Sequence, residues 1–175
     1  DGVRLVKIES LDLFRPEDPW HIPRLRELRG RDHLDVDLLE FAHMCTAGFP
    51  EPLTFSLRAR RWFREHRADF DVVHDNQCFG YGIAGIQNDG VPVVATLHHP
   101  ITVDRDRELA EAARLHPGLT WAGAKRKFSL KRWYGFLEMQ MRVARQIPRI
   151  VTVSESSRRD IVAQISARLD QQVPD

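Results

Sequence analysis

Three short apolar runs in this chain each end in a cluster of polar residues. They are Asp71-Val72-Val73-His74-Asp75-Asn76-Gln77, Val91-Pro92-Val93-Val94-Ala95-Thr96-Leu97-His98-His99-Pro100, and Arg149-Ile150-Val151-Thr152-Val153-Ser154-Glu155-Ser156-Ser157. Runs of this length, rich in Val, Ile and Thr, bounded by Pro, Gly and Asp and separated by helix-like segments, read as buried strands of a parallel sheet. The pattern predicts an α/β fold, a mainly parallel sheet with flanking helices. In such sheets ligands bind beyond the carboxyl ends of the strands, where these His, Asp, Asn, Gln and Ser residues fall.

The intervening segments agree. Phe79 to Ile86 reads as a helix opened by glycines and closed by Asn88-Asp89-Gly90, which completes a β-α-β unit. From Asp104 to Arg114 strong helix formers follow acidic residues, as the helix dipole prefers, and His116-Pro117-Gly118 ends the run. A long helix is predicted from Phe128 to Gln146, with Leu130, Trp133, Tyr134, Leu137, Met141 and Ala144 on one stripe, stopped by Pro148. Ser157-Arg158-Arg159-Asp160 matches a capping box, and Ile161, Val162, Ile165 and Leu169 continue an amphipathic helix. Upstream, Asp35 to Ala42 and Leu53 to His66 are helix candidates, the second expected to pack at the sheet edge before the first run. Val3 to Ile8 alternates as a strand would after the Asp1-Gly2 turn, so the chain reads as opening in mid-fold. Pro16 to Pro23 carries three prolines and must be an irregular loop.

At 175 residues the chain fits one domain with a real core. A net charge of +1 argues against whole-molecule steering toward nucleic acid, so any basic patch must be local. Cys45 and Cys78 lie far apart without metal or redox spacing, which points to reduced thiols in a cytoplasmic protein. No apolar stretch approaches the ~20 residues that span a bilayer and no signal peptide opens the chain, so the expectation is a soluble protein or one peripheral to the inner membrane face.

His98-His99-Pro100 is the sharpest local signal. Either an imidazole faces a ligand in the crevice, or these are structural histidines at a strand end; adjacent strand residues alternate, so one of the pair faces the ligand. His74-Asp75-Asn76-Gln77 offers acceptors and amide donors suited to several hydroxyl groups, as in a polyol, and Asp75 and Asn76 can also cap the next helix. Ser154-Glu155-Ser156-Ser157 begins a helix, whose free N–H groups either bind a hydroxyl or anion or are simply capped. His74, His98, His99, Asp75 and Asp104 are ligand types, but their spacing matches no zinc pattern. Gly80-Tyr81-Gly82-Ile83-Ala84-Gly85 matches Gly-x-Gly-x-x-Gly, yet His98 stands where a ribose-binding acid belongs; the glycines are read as helix-opening and close packing. Trp121, Lys125, Arg126, Lys127, Phe128, Lys131, Arg132, Trp133 and Tyr134 form a basic, aromatic patch of the kind that rests on anionic headgroups. Phe136 and Met139 lie off the main stripe and need a second apolar contact: membrane, a part of the protein outside this chain, or core.

The order and content of Phe70-Asp71-Val72-Val73-His74-Asp75-Asn76, Gly90 to Pro100, and Arg149 to Ser157 with its helix resemble the amino-terminal half of family 4 glycosyltransferases. These are retaining enzymes of the two-domain, Rossmann-like GT-B fold, and the likeness covers most of the region from Phe70 to about Ala167. It implies that His98, rather than His99, sits beside the donor sugar and hydrogen-bonds one of its hydroxyls. It implies an incomplete amino-terminal, acceptor-side domain over residues 1–175, with the family's first strand and glycine-rich loop before Asp1 and its donor-binding carboxy-terminal domain after Asp175. It also implies no essential metal and no cofactor beyond the nucleotide-sugar substrate.

The resulting expectation is a fragment, itself inactive, of a glycosyltransferase that uses a nucleotide-sugar and a small-molecule or lipid acceptor. His98 serves as the catalytic-site residue, with Asp75, Asn76, Gln77, His99, Ser154 and Glu155 binding donor or acceptor. Peripheral membrane contact would run through Lys125, Arg126, Lys127, Lys131, Arg132 and Trp133. The rivals are a non-catalytic binding module on the same sheet and a metal-dependent hydrolase using His74, His98 and His99.

Overall fold

Alternation of inward and outward side chains along three short strands builds the sheet, the inward ones buried on the first two strands and only half-buried on the third. The computed structural model describes residues 2–11, 33–46, 48–98, 102–118 and 120–170, the side chains of 104 and 164–170 excepted. The strands are β1 (Val73–Asn76), β2 (Val93–Leu97) and β3 (Arg149–Thr152), parallel and in the order β1-β2-β3. In register, Val73 faces Val93 and Asp75 faces Ala95, while Ala95 faces Ile150. The helices are α1 (Leu34–Cys45), α2 (Glu51–Glu65), α3 (Tyr81–Asn88), α4 (Thr102–Leu115), α5 (Trp121–Trp133), α6 (Phe136–Ala144) and α7 (Glu155–Asp170). The α/β class and the three parallel strands are those expected from the apolar runs, but β3, expected to be buried, is at the edge of the described sheet with Val151 half exposed.

The main core lies on one sheet face, where Val93, Ala95 and Leu97 of β2 meet Phe79, Ile83 and Ile86, Val143 of α6, and Ile161 of α7. The β-α-β unit works because α3 is short and buried on most sides. It packs so closely on α2 that a Cβ added at Gly82 would fall 1.8 Å from the Ser56 carbonyl oxygen, and one at Gly80 2.1 Å from Ser56 Oγ. The glycine motif is therefore a helix contact. α2 consequently packs on α3 more than on the sheet edge, and Arg60, reinforced by Arg64, clamps Asp89 at the far end of α3.

Several expectations need correction. Val3 to Ile8 is no strand: no described strand pairs with it, and without a ladder an extended segment has nothing to satisfy its backbone. Val3 and Leu5 are fully exposed, and the segment anchors instead through Leu11, packed against Phe41 and Met44. The long helix breaks at Tyr134-Gly135, where the Gly135 N–H turns back to the Arg132 carbonyl. The two halves bury different surfaces, since α5 rests Leu130 against its neighbours while α6 buries six of its residues. The break also answers the question of Phe136 and Met139: Met139 is core and Phe136 packs on the core and edge-on to Phe49. Finally, α7 starts two residues before the predicted box, because Ser154 Oγ accepts the Ser157 N–H and acts as the cap. The proline-rich loop lies outside the described residues.

Candidate functional site

β1 extends through Asn76, so His74, Asp75 and Asn76 are strand residues, and the pleat sends them to alternate faces. Asp75 points into the core and is 4 % exposed. Its two oxygens accept the Cys78 and Phe79 N–H groups at 3.2 and 2.8 Å, closing the turn into α3. Burial raises its pKa above the ordinary range, opposed by those two donors. Asp75 thus shapes the loop. His74 and Asn76 face the other side, where His74 Nε2 lies 2.7 Å from Thr96 Oγ1.

At the ends of β1 and β2 the structure brings Asn76, Gln77 and His98 together. The His98 backbone N–H donates to Gln77 Oε1 at 2.8 Å, and the ring Nε2 lies 2.6 Å from Asn76 Oδ1. A carbonyl oxygen only accepts, so the ring donates from Nε2, and among the described residues nothing pairs with Nδ1. The imidazole is exposed at the sheet end with its plane set by a neighbour. His99 lies outside the described residues. Ser154 and Glu155 stand at the end of β3 in local pairs, Ser154 with Ser157 and Glu155 with Arg158 at 3.0 Å. Among the described residues no three His, Cys, Asp or Glu side chains are grouped to hold a metal.

Beside Asn76 and Gln77 opens a cavity of about 310 Å³, walled by Phe49, Phe55, Glu40 and Arg58. Arg58 escaped the sequence reading, since nothing separates it from the other arginines of α2. It is 1 % exposed, and its Nη2 donates to Asp37 Oδ1 and Glu40 Oε2 of α1, both at 2.5 Å. Its Nε and Nη1 are buried without a partner among the described residues. Burial pushes the Glu40 carboxyl above its ordinary pKa, and the guanidinium pulls it back. The one faint signal was Asp37 and Glu40 on the same face of a short helix as the apolar Val36. Cys78, also on the cavity wall, has its thiol pushed up to about 12 by burial, with nearby Asp75 adding to the shift, so it is not a nucleophile at neutral pH.

Residues 12–169 match the model of Glycosyltransferase Family 4. The chain belongs to that family. It is also 52 % identical over 169 residues to the MMP alpha-(1->4)-mannosyltransferase of Mycolicibacterium hassiacum, a match that takes in 97 % of this chain and 38 % of the relative. The chain thus spans little more than a third of the length of that curated relative. In this family 4 chain, the pair His98 and Asn76 lies at the ends of adjacent parallel strands next to the cavity, the place where an α/β sheet presents ligand-binding groups.

Proposed function

We propose that the protein carrying this chain transfers a sugar from a nucleotide-sugar to an acceptor with retention of configuration, and that this chain supplies the acceptor-side part of a GT-B enzyme. The observation that carries the proposal is the exposed His98, its ring held by Asn76 and its backbone N–H by Gln77, two residues that also line the cavity. His98 would contact a hydroxyl of the donor sugar through Nδ1, its remaining ring nitrogen. The cavity would take the acceptor, with the Asn76 and Gln77 amides meeting its hydroxyls, while the buried Arg58 holds α1 and α2 together behind the wall. In such chemistry the enzyme mainly orients donor and acceptor and excludes water, so this chain need supply no attacking side chain. The mannosyltransferase relative supports mannose as the sugar moved.

The test offers UDP-, GDP- and ADP-mannose to the full-length protein, wild type and His98→Ala. Turnover of one donor that collapses in the variant supports the proposal. A folded protein that turns over none of them moves the reading to a non-catalytic binding module.

We further propose a cytoplasmic setting with a peripheral membrane contact, narrower than the sequence patch implies. Among the described residues no helix is long and apolar enough to cross a membrane. Arg132 is engaged by Thr46, Arg126 by Glu108, and Trp133 packs at a tilt against Phe49. The most exposed apolar side chains of α5 are Trp121, 79 % exposed with Lys125 over its ring, and Phe128, 60 % exposed and close in sequence to Lys127 and Lys131. Co-sedimentation of the full-length protein with phosphatidylglycerol vesicles should fall in a Trp121→Ala and Phe128→Ala double variant; unchanged binding sinks this contact.

A further inference from the structure

The loop after β1 holds two non-glycine residues in left-handed conformations, Gln77 at φ 66° and Phe79 at φ 45°. Each such residue costs about 1 kcal/mol or more and persists only where its surroundings enforce it. Three restraints do so here. Asp75 takes the Cys78 and Phe79 N–H groups from the strand side, and Phe79 is locked in the core with no exposed surface. The third comes from α6: Gln140, 4 % exposed, donates from Nε2 to the carbonyl oxygens of Gln77 at 3.2 Å and Cys78 at 2.9 Å. Both groups facing that nitrogen are acceptors, so only a donor fits there. Gln140 Oε1 is buried without a partner among the described residues, a penalty the structure carries in order to place the donor.

We propose that Gln140 is a positioning residue for the transfer reaction. Through the two carbonyls it holds the left-handed loop, the loop fixes the Gln77 side chain, and Gln77 Oε1 clamps the His98 backbone N–H so that the imidazole meets Asn76. This inference rests on the reading of His98 as a donor-facing residue. Gln140 touches neither His98 nor the cavity, and its effect on turnover passes entirely through Gln77.

The test compares Gln140→Met, similar in volume but without donors, and Gln140→Glu, which replaces the donor by acceptor oxygens, in the full-length protein. Val143→Ala, a core change on the same helix, controls for stability. Readouts are steady-state transfer with the nucleotide-mannose that the wild type uses, thermal melting, and NMR titration of the His98 ring, assigned by its loss in His98→Ala. For Gln140→Met we expect kcat to fall by roughly ten- to a hundredfold, with donor KM within about threefold and a displaced His98 titration. Val143→Ala should lower the melting temperature yet keep kcat and the titration. A folded Gln140→Met with an unchanged His98 titration overturns the inference; if that variant does not fold, the same titration in Gln140→Glu decides. Intact turnover in His98→Ala would instead sink the donor-facing reading, while a displaced titration in Gln140→Met still shows the loop acting on His98.

Discussion

Replacing Arg58 by Met removes the single cation that α2 places between two buried carboxylates of α1. Breaking a buried ion pair from one side costs about 3 to 5 kcal/mol, because the remaining charges are left desolvated. A typical domain has about 5 to 15 kcal/mol in total, so the variant should be close to its limit at neutral pH. The loss should depend on pH with a definite sign. The folded-state pKa of Glu40 is raised above its ordinary value of 4.5, so between those two values the native state holds more protons than the unfolded one, and stability falls as pH rises. Without Arg58 the guanidinium's attraction disappears, leaving the weaker Leu11 N–H hydrogen bond to oppose burial and the repulsion from Asp37. The raised value climbs further, each additional unit removing about 1.4 kcal/mol above it. Hydrogen exchange of α1 and α2 amides in the full-length protein, corrected for intrinsic rates at pH 5.5 and pH 8, measures the opening free energy. The Arg58→Met protein should be markedly more protected at pH 5.5, and adding Glu40→Gln should recover much of the loss at pH 8. A loss under about 1 kcal/mol, or protection that grows with pH, would refute the reasoning.

Gly82→Ala should destabilise by about 3 kcal/mol or more, since its new methyl group meets a backbone carbonyl and forces α2 and α3 apart; a melting temperature near wild type would reopen the nucleotide-loop reading of the glycines. With its thiol pushed up to about 12, Cys78 should resist iodoacetamide at pH 8 while exposed Cys45 reacts, as peptide mass mapping would show. Ser154→Ala removes the cap of α7 and should cost about 1 kcal/mol, seen as faster amide exchange confined to its first turn, with exchange in β1 and α3 unchanged.

Local pattern in the sequence suffices for the β-α-β unit, the third strand and the end of the sheet that carries the candidate site. Those follow from local pattern: Val, Ile and Ala at strand period, glycines and prolines at the breaks, polar residues at the carboxyl ends. His98, Asn76 and Gln77 were legible for the same reason, because a strand end is a position in the sequence as well as in space. Packing between elements set the rest. It turned Asp75 inward to hold a loop, because the pleat gives alternate strand residues opposite faces and only the packed fold says which face is core. It broke the long apolar stripe at Gly135, and beyond the break Met139 enters the core with Phe136 packed against it. It left Val3 to Ile8 unpaired, because a strand exists only with a neighbour. The buried Arg58 and Gln140 look in the sequence like any solvated polar residue of a helix. Their roles come from partners 18 to 63 residues away along the chain, a distance over which no local periodicity carries information.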